Sequence, residues 1–374
     1  MAINPIKTKV AYLGPPSSYT HQVVYTLRAS GLLNSPYNVS CTYRQQAALG
    51  TFDSNDTILE PQNSIHDIFS AVQSSSVTYG VVPFENSTNG SVVYTLDLLI
   101  DLEHQSTSIK VCGEAYMDVH HCLLGHIGRT HHIHGDPTSS SDGSRTPTID
   151  VPHPNPARAQ PLKDLRHIKR IYSHPQAFGQ CEAFLSTYLK GIERQEVSST
   201  SKAAEVVAAD QSRSTAAISS KLAAEIHGLS LLAEGIEDSE DNTTRFLILC
   251  NPDERVHSSS TDYSFNRQLS SPMSYKSLVA FKVNHQSSGA LAKALAVFGD
   301  HGVNLTSINS RPSREHPWHY VFLIEFEGKR EADGSGKVNA ALEALIGPTQ
   351  GQWKFLGSWV DKMSKASKAS TTPS

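Results

Sequence analysis

Apolar residues in this chain fall into two alternating patterns. Residues 9–13, 79–84, 111–117 and 168–173 are compact apolar runs of strand length. Between them, Ile65, Ile68, Phe69 and Val72 recur at helical spacing, and residues 21–27, 92–102, 174–189 and 202–209 also read as helical. Segments 214–218, 222–226 and 231–232 continue the pattern up to the apolar run 247–250. Strand alternating with helix predicts an α/β protein with open, mainly parallel sheets. Past a polar, serine-rich stretch at 251–275 the order changes. Strand 277–284, helix 289–300, strands 303–310 and 320–326, helix 338–346 and a last strand around Trp353 and Phe355 spell βαββαβ, the ferredoxin-like order. Segment 125–161, rich in His, Ser and Pro without periodicity, is expected to be a surface insertion, and 363–374 a disordered tail.

Composition narrows the class. A chain of 374 residues exceeds one comfortable core, so two or three domains are expected. With 38% hydrophobic and 18% charged residues it resembles an ordinary soluble protein. A net charge of −4 offers no basic footprint, so nucleic acid is not an expected partner. No apolar run reaches the length of a membrane span, and the polar N-terminus lacks a secretory core, so no membrane partner and a cytoplasmic location are expected. The five cysteines are scattered and form no CxxC pair, which fits a reducing compartment. His126, His131, His132 and His134 lack a carboxylate or cysteine at ligand spacing, so no metal is expected.

Polar chemistry gathers where apolar runs begin or end. Gly14-Pro15-Pro16-Ser17-Ser18-Tyr19-Thr20 links a strand to a helix, as do the Glu85–Ser91 corner (residues 85–91) and Ser199-Thr200-Ser201. Helix starts of this kind present unpaired N–H groups to an anion, although a serine-capped βα corner explains the same residues. Asn242-Thr243-Thr244-Arg245-Phe246 runs straight into a buried strand. The guanidinium fork of Arg245 suits a carboxylate and Thr244 can donate one hydrogen bond; an ordinary strand start with a surface arginine fits as well.

Taken in order, several of these stretches resemble the prephenate dehydratase family. The first corner is similar to the family's Gly-Pro-x-Gly-Thr-Phe signature, with Ser17, Ser18 and Tyr19 in place of Gly, Thr and Phe. Gly80-Val81-Val82-Pro83-Phe84-Glu85-Asn86-Ser87 with Gly90-Ser91 matches more closely, as do His174-Pro175-Gln176-Ala177, Ser199-Thr200, and Ile236-Glu237-Asp238 leading to Thr244-Arg245-Phe246. The last third resembles an ACT domain, with Gly289-Ala290-Leu291 and Asn309-Ser310-Arg311-Pro312 at effector-binding positions and Asn309 where a Glu is usual.

The resemblance implies a bilobal, periplasmic-binding-protein-like catalytic domain over 8–250, with lobe 1 at about 8–84 plus 243–250 and lobe 2 at about 85–242. A linker at 251–275 and the ACT domain at 276–362 follow. It implies a dianionic substrate, prephenate, that loses CO2 and hydroxide to become aromatic phenylpyruvate. Thr244 is then the expected donor to the leaving hydroxyl and Arg245 the carboxylate anchor. Phe246, Asn86, Ser87, Gly90, Ser199, Thr200 and Thr20 are expected at the substrate, in a cleft between the lobes. Gly289, Ala290, Leu291, Asn304, Leu305, Ser310 and Arg311 are expected to bind phenylalanine as effector, at an interface of a homodimer or homotetramer. No cofactor is implied. Arogenate dehydratase and a non-catalytic bilobal amino-acid or keto-acid sensor are the competing readings.

Overall fold

A computed structural model describes residues 8–16, 18–29, 57–100, 108–128, 156–252 and 274–363. Most of the expected insertion at 125–161, of the linker at 251–275 and of the tail at 363–374 lies outside them, as do Ser17, Cys41, His131, His132 and His134.

In chain order the elements begin β1 (Thr8–Leu13), α1 (Tyr19–Ala29), β2 (Thr57–Gln62), α2 (Ile65–Gln73), β3 (Tyr79–Asn86), β4 (Gly90–Ser91), α3 (Val93–Ile100) and β5 (Lys110–Asp118). There follow β6 (Cys122–Gly125), β7 (Arg170–Ser173), α4 (Pro175–Gly179), α5 (Glu182–Tyr188), β8 (Glu193–Glu196), α6 (Thr200–Ala209), β9 (Thr215–Ser219), α7 (Lys221–His227), β10 (Ser230–Glu234) and β11 (Thr243–Cys250). The last third adds β12 (Tyr275–Lys282), α8 (Ala290–Asp300), β13 (Leu305–Pro312), β14 (Tyr320–Glu327), α9 (Gly336–Ala344), α10 (Ile346–Thr349) and β15 (Trp353–Val360). The described residues fall into two units, one drawn from 1–13, 23–117 and 244–374, the other from 14–22 and 118–243.

The first unit holds a sheet in the order β2-β1-β3-β11-β5, with β4 hairpinned onto β3. Helix α2 buries Ile65, Ile68, Phe69 and Val72 as their spacing predicts, and Ser64 caps it by accepting the Asp67 N–H at 3.1 Å. Strand β1 is parallel to β2 and β3, whereas β11 is antiparallel to β3. The returning chain enters the sheet where β3 ends, Thr244 opposite Asn86, so it can only run the other way. The second unit has the order β10-β6-β9-β7-β8, with β6 antiparallel to both neighbours and β7 parallel to both of its own. Both sheets are therefore mixed, not mainly parallel. The expected crossing near Glu85 is also displaced, to Met117 and Asp118. Elements β4, α3 and β5 stay with the first sheet because β5 pairs at the free edge of β11.

The last third is the expected ferredoxin-like domain, an antiparallel sheet in the order β13-β14-β12-β15. One face, with Val279, Phe281, Ile324 and Phe326, packs on Ala294, Phe298, Val338 and Leu342 of α8 and α9. The opposite face, with Leu278, Val321, Leu323 and Trp359, joins the core of the first unit at Phe84, Val111 and Leu247. Burial on both sides explains why β12 and β14 read as nearly continuous apolar runs. At the closest approach, a Cβ on Gly357 (φ +144°) would stand 2.1 Å from the Val111 carbonyl oxygen, so only glycine fits. Each fully buried Leu, Val, Ile or Phe contributes about 1.5–3 kcal/mol. The domain thus shares a core with the first unit, although a serine-rich stretch precedes it in the chain.

Candidate active site

The junction of β3 and β11 carries the residues with the clearest chemistry. Thr244, second residue of β11 and half-buried, pairs in register with Asn86 at the end of β3. The Asn86 side-chain amide donates to Thr244 Oγ1 at 2.9 Å. Asn86 Oδ1 accepts the backbone N–H groups of Thr88 and Asn89, each at 3.0 Å, and so builds the turn into β4. The expected helix follows this corner as α3, but a hairpin turn comes first, whose inward N–H groups are taken by Asn86, with Ser87 and Gly90 exposed on the turn. Having accepted one hydrogen bond, the Thr244 hydroxyl keeps its own proton for a second partner, and accepting polarises it as a donor.

Arg245 departs from its expected role. Its side chain is 8% exposed, and the guanidinium has Glu114 Oε2 at 2.6 Å and Glu325 Oε2 at 2.5 Å. The Phe84 and Tyr116 rings lie 5.3 and 5.7 Å away. Burial opposes its charge, but Glu114 and Glu325 outweigh burial and raise its pKa further. Lys276 stands 3.7 Å from Glu325 and 3.3 Å from Asp361. Further donors complete the cluster: the Lys362 N–H to Glu114 Oε1 at 2.8 Å and Thr306 Oγ1 to Glu325 Oε1 at 2.9 Å. Nε and Nη2 of the guanidinium are taken up by two buried carboxylates, which favours a structural role over a substrate anchor. Phe246 is corrected too: at 2% exposure it is a core side chain, and the register shift between Arg245 and Phe246 turns both inward. Glu114, Lys276 and Glu325 escaped the sequence reading. Their signal is a charge placed inside an apolar strand run, where an unpaired ion would be prohibitively costly.

In the second unit Thr20 lies buried near the start of α1, and Ser18 Oγ accepts the His21 N–H at 3.1 Å. Ser199 caps α6 by accepting the Lys202 N–H at 3.0 Å, and Thr200 is half-buried beside it. Ser201 Oγ, one position on, is buried without a hydrogen-bond partner among the described residues. Tyr19, in place of the family's phenylalanine, meets the buried His121, its hydroxyl 2.8 Å from Nδ1. His121 Nε2 reaches Gln180 Oε1 at 2.8 Å, so Nε2 carries the proton and Nδ1 accepts from Tyr19. Burial pushes the His121 pKa down. Glu237 takes the His121 N–H at 2.8 Å and faces His120 Nδ1 at 3.0 Å. The Glu237 hydrogen bond raises the His120 pKa. Burial opposes ionisation of Glu237, but the bonds from His120 and the backbone hold its carboxyl below the usual range.

In the ferredoxin-like domain Gly289 adopts φ 75° and caps α8, with Ala290 buried and Leu291 half-buried behind it. Asn304, just before β13, and Ser310 on it are exposed, and Leu305 is half-buried. Arg311 is not free: its Nε donates to Asp97 Oδ1 of α3 at 2.6 Å. Asn309 Oδ1 accepts from Ser91 Oγ at 2.8 Å.

The described residues thus combine α/β units with a ferredoxin-like sheet and hold a hydroxyl against an amide at a strand end. Residues 39–254 match the prephenate dehydratase family model and residues 281–335 the ACT domain. The chain belongs to the prephenate dehydratase family. It is 32% identical over 353 residues to a bifunctional chorismate mutase/prephenate dehydratase of Aquifex aeolicus, covering 94% of this chain and 74% of that one. It is 32% identical over 292 residues to a prephenate dehydratase of Methanocaldococcus jannaschii, covering 78% and 86%. The crystal structure of a prephenate dehydratase from Arthrobacter aurescens in complex with L-Phe shares the fold, with TM-score 0.67, 24% identity and coverage of 97% and 96%.

Proposed function

We propose that this protein dehydrates and decarboxylates prephenate to phenylpyruvate, and that phenylalanine regulates it through the ACT domain. The observation that carries the reading is the hydrogen bond from Asn86 to Thr244 Oγ1, which leaves the threonine proton free for a leaving hydroxyl. In the reaction the ring's C–CO2 bond breaks, its electron pair shifts through the diene, and the C–O bond at the opposite ring carbon breaks with its pair leaving on oxygen. The hydroxide takes one proton and leaves as water, and only the loss of both groups makes the ring aromatic. Aromatisation supplies the driving force, so the slow event is departure of a poor leaving group. Proton donation at such a step is worth about 100- to 10,000-fold. A threonine is a weak acid; its part is a hydrogen bond that strengthens as charge develops on the oxygen.

With Arg245 neutralised internally, carboxylate positioning falls to other groups. Within the second unit, the first N–H groups of α6 with Ser199 and Thr200 are suited to holding a carboxylate. The exposed edge strand β13, with Ile308 53% exposed, supports a homodimer or homotetramer built along it. We place the enzyme in the cytoplasm; no described helix is long and apolar enough to cross a membrane.

The test is phenylpyruvate formation from prephenate, with arogenate turned over in parallel. Thr244→Val should lower kcat at least about tenfold without moving the unfolding midpoint. Normal turnover in that variant removes Thr244 from the reaction, and turnover of arogenate alone replaces the substrate. Phenylalanine should inhibit and raise the melting temperature; neither response removes the regulatory claim.

A further inference from the structure

The Thr244–Asn86 pair sits in a three-stranded patch, β4-β3-β11, held by side chains of the ferredoxin-like domain at both margins. On one margin Arg245, the residue after Thr244, meets Glu325 of β14 at 2.5 Å. On the other, Ser91 of β4 donates to Asn309 of β13 at 2.8 Å. The backbone register joins the two margins: Arg245 lies opposite Glu85, Glu85 opposite Ser91, and Asn86 opposite both Thr244 and Gly90. Strand β13 reaches both contacts, the second through Asn309 and the first through Thr306, whose hydroxyl donates to Glu325 at 2.9 Å. One strand of the ferredoxin-like domain thus grips the patch on either side of the reacting pair.

We infer that Glu325 and Asn309 are positioning residues for the dehydration, holding Thr244 and Asn86 at their working separation through Arg245 and Ser91. The inference rests on the prephenate dehydratase reading and adds the route by which the ACT domain acts on it. Neither residue touches substrate. A movement of β13 alters both contacts together, and Thr244 shifts against Asn86 because they share one ladder. An effector that favours one position of β13 therefore changes turnover without occupying the substrate's place. Displacements well under an ångström suffice, since a hydrogen bond at 2.9 Å weakens steeply with distance and angle.

The experiment measures kcat, KM and phenylalanine inhibition for the intact enzyme and for Asn309→Ala, Asn309→Asp, Ser91→Ala and the Ser91→Ala/Asn309→Ala pair. Losing the Ser91–Asn309 bond should lower kcat about three- to tenfold with KM within about twofold. Asn309→Asp keeps the accepting oxygen and should restore turnover. The double variant should fall no further than either single one, because both remove the same bond. Phenylalanine binding, followed by calorimetry, should persist in Ser91→Ala, which lies outside the effector-binding positions, while the concentration giving half inhibition rises at least about threefold. Wild-type kcat and inhibition in Asn309→Ala, or equal losses in Asn309→Ala and Asn309→Asp, overturn the inference. An intact enzyme that fails to turn over prephenate refutes the functional reading instead, so the two failures are distinct.

Discussion

Replacing Arg245 by methionine separates its two possible roles. In the structure the guanidinium faces Glu114 at 2.6 Å and Glu325 at 2.5 Å, both carboxylates essentially sealed from water. Removing it leaves two buried anions with Lys276, 4.0 and 3.7 Å away, as the nearest cation. Breaking a buried ion pair from one side costs about 3–5 kcal/mol, because the remaining charge loses its partner without regaining water. Against a domain stability of about 5–15 kcal/mol, that is a large part of the whole. Urea denaturation at neutral pH should show the midpoint falling with an unchanged slope. Adding Glu325→Gln should recover at least about 1 kcal/mol, since the second substitution removes one of the stranded charges. A surface anchor for substrate would behave oppositely. Stability within about 1 kcal/mol of the parent, together with a raised KM and unchanged kcat, would refute the buried-cluster argument.

Two further outcomes follow from the same geometry. His120 gains a partner in Glu237, so its folded pKa lies above its unfolded value and that of Glu237 lies below. The His120 contribution is complete below about pH 6.5 and fades as pH rises through the folded value; that of Glu237 is complete above about pH 4.3 and fades on acidification. His120→Ala should therefore flatten the loss of stability on going from pH 6 toward 8, as read by melting temperature across that window; an unchanged slope refutes the coupling. Gly357→Ala places a methyl 2.1 Å from the Val111 carbonyl oxygen at a φ that side chains avoid, and should cost more than about 2 kcal/mol in denaturant unfolding. Stability equal to the parent would show that β15 can draw back from β5.

Much of this molecule is legible in its sequence. Period-two and period-3.6 patterns are local, so helix α2, the buried strands and the βαββαβ order of the last third follow from side-chain spacing alone. So does the cap at Ser199, because a hydroxyl and an N–H three residues on meet within one turn. The motifs single out Thr244 and Asn86, but not their hydrogen bond, which joins positions 158 residues apart.

The fate of Arg245 could be read only from the folded chain. An arginine at a strand start looks the same whether it points to water or to carboxylates 131 and 80 residues away. The register shift beside Phe246 and the partners Glu114 and Glu325 decide between those outcomes, and strand pairing sets both. The crossing between units and the docked face of the ferredoxin-like sheet belong to the same class. Local pattern specifies that a residue is buried; only long-range packing chooses what it is buried against.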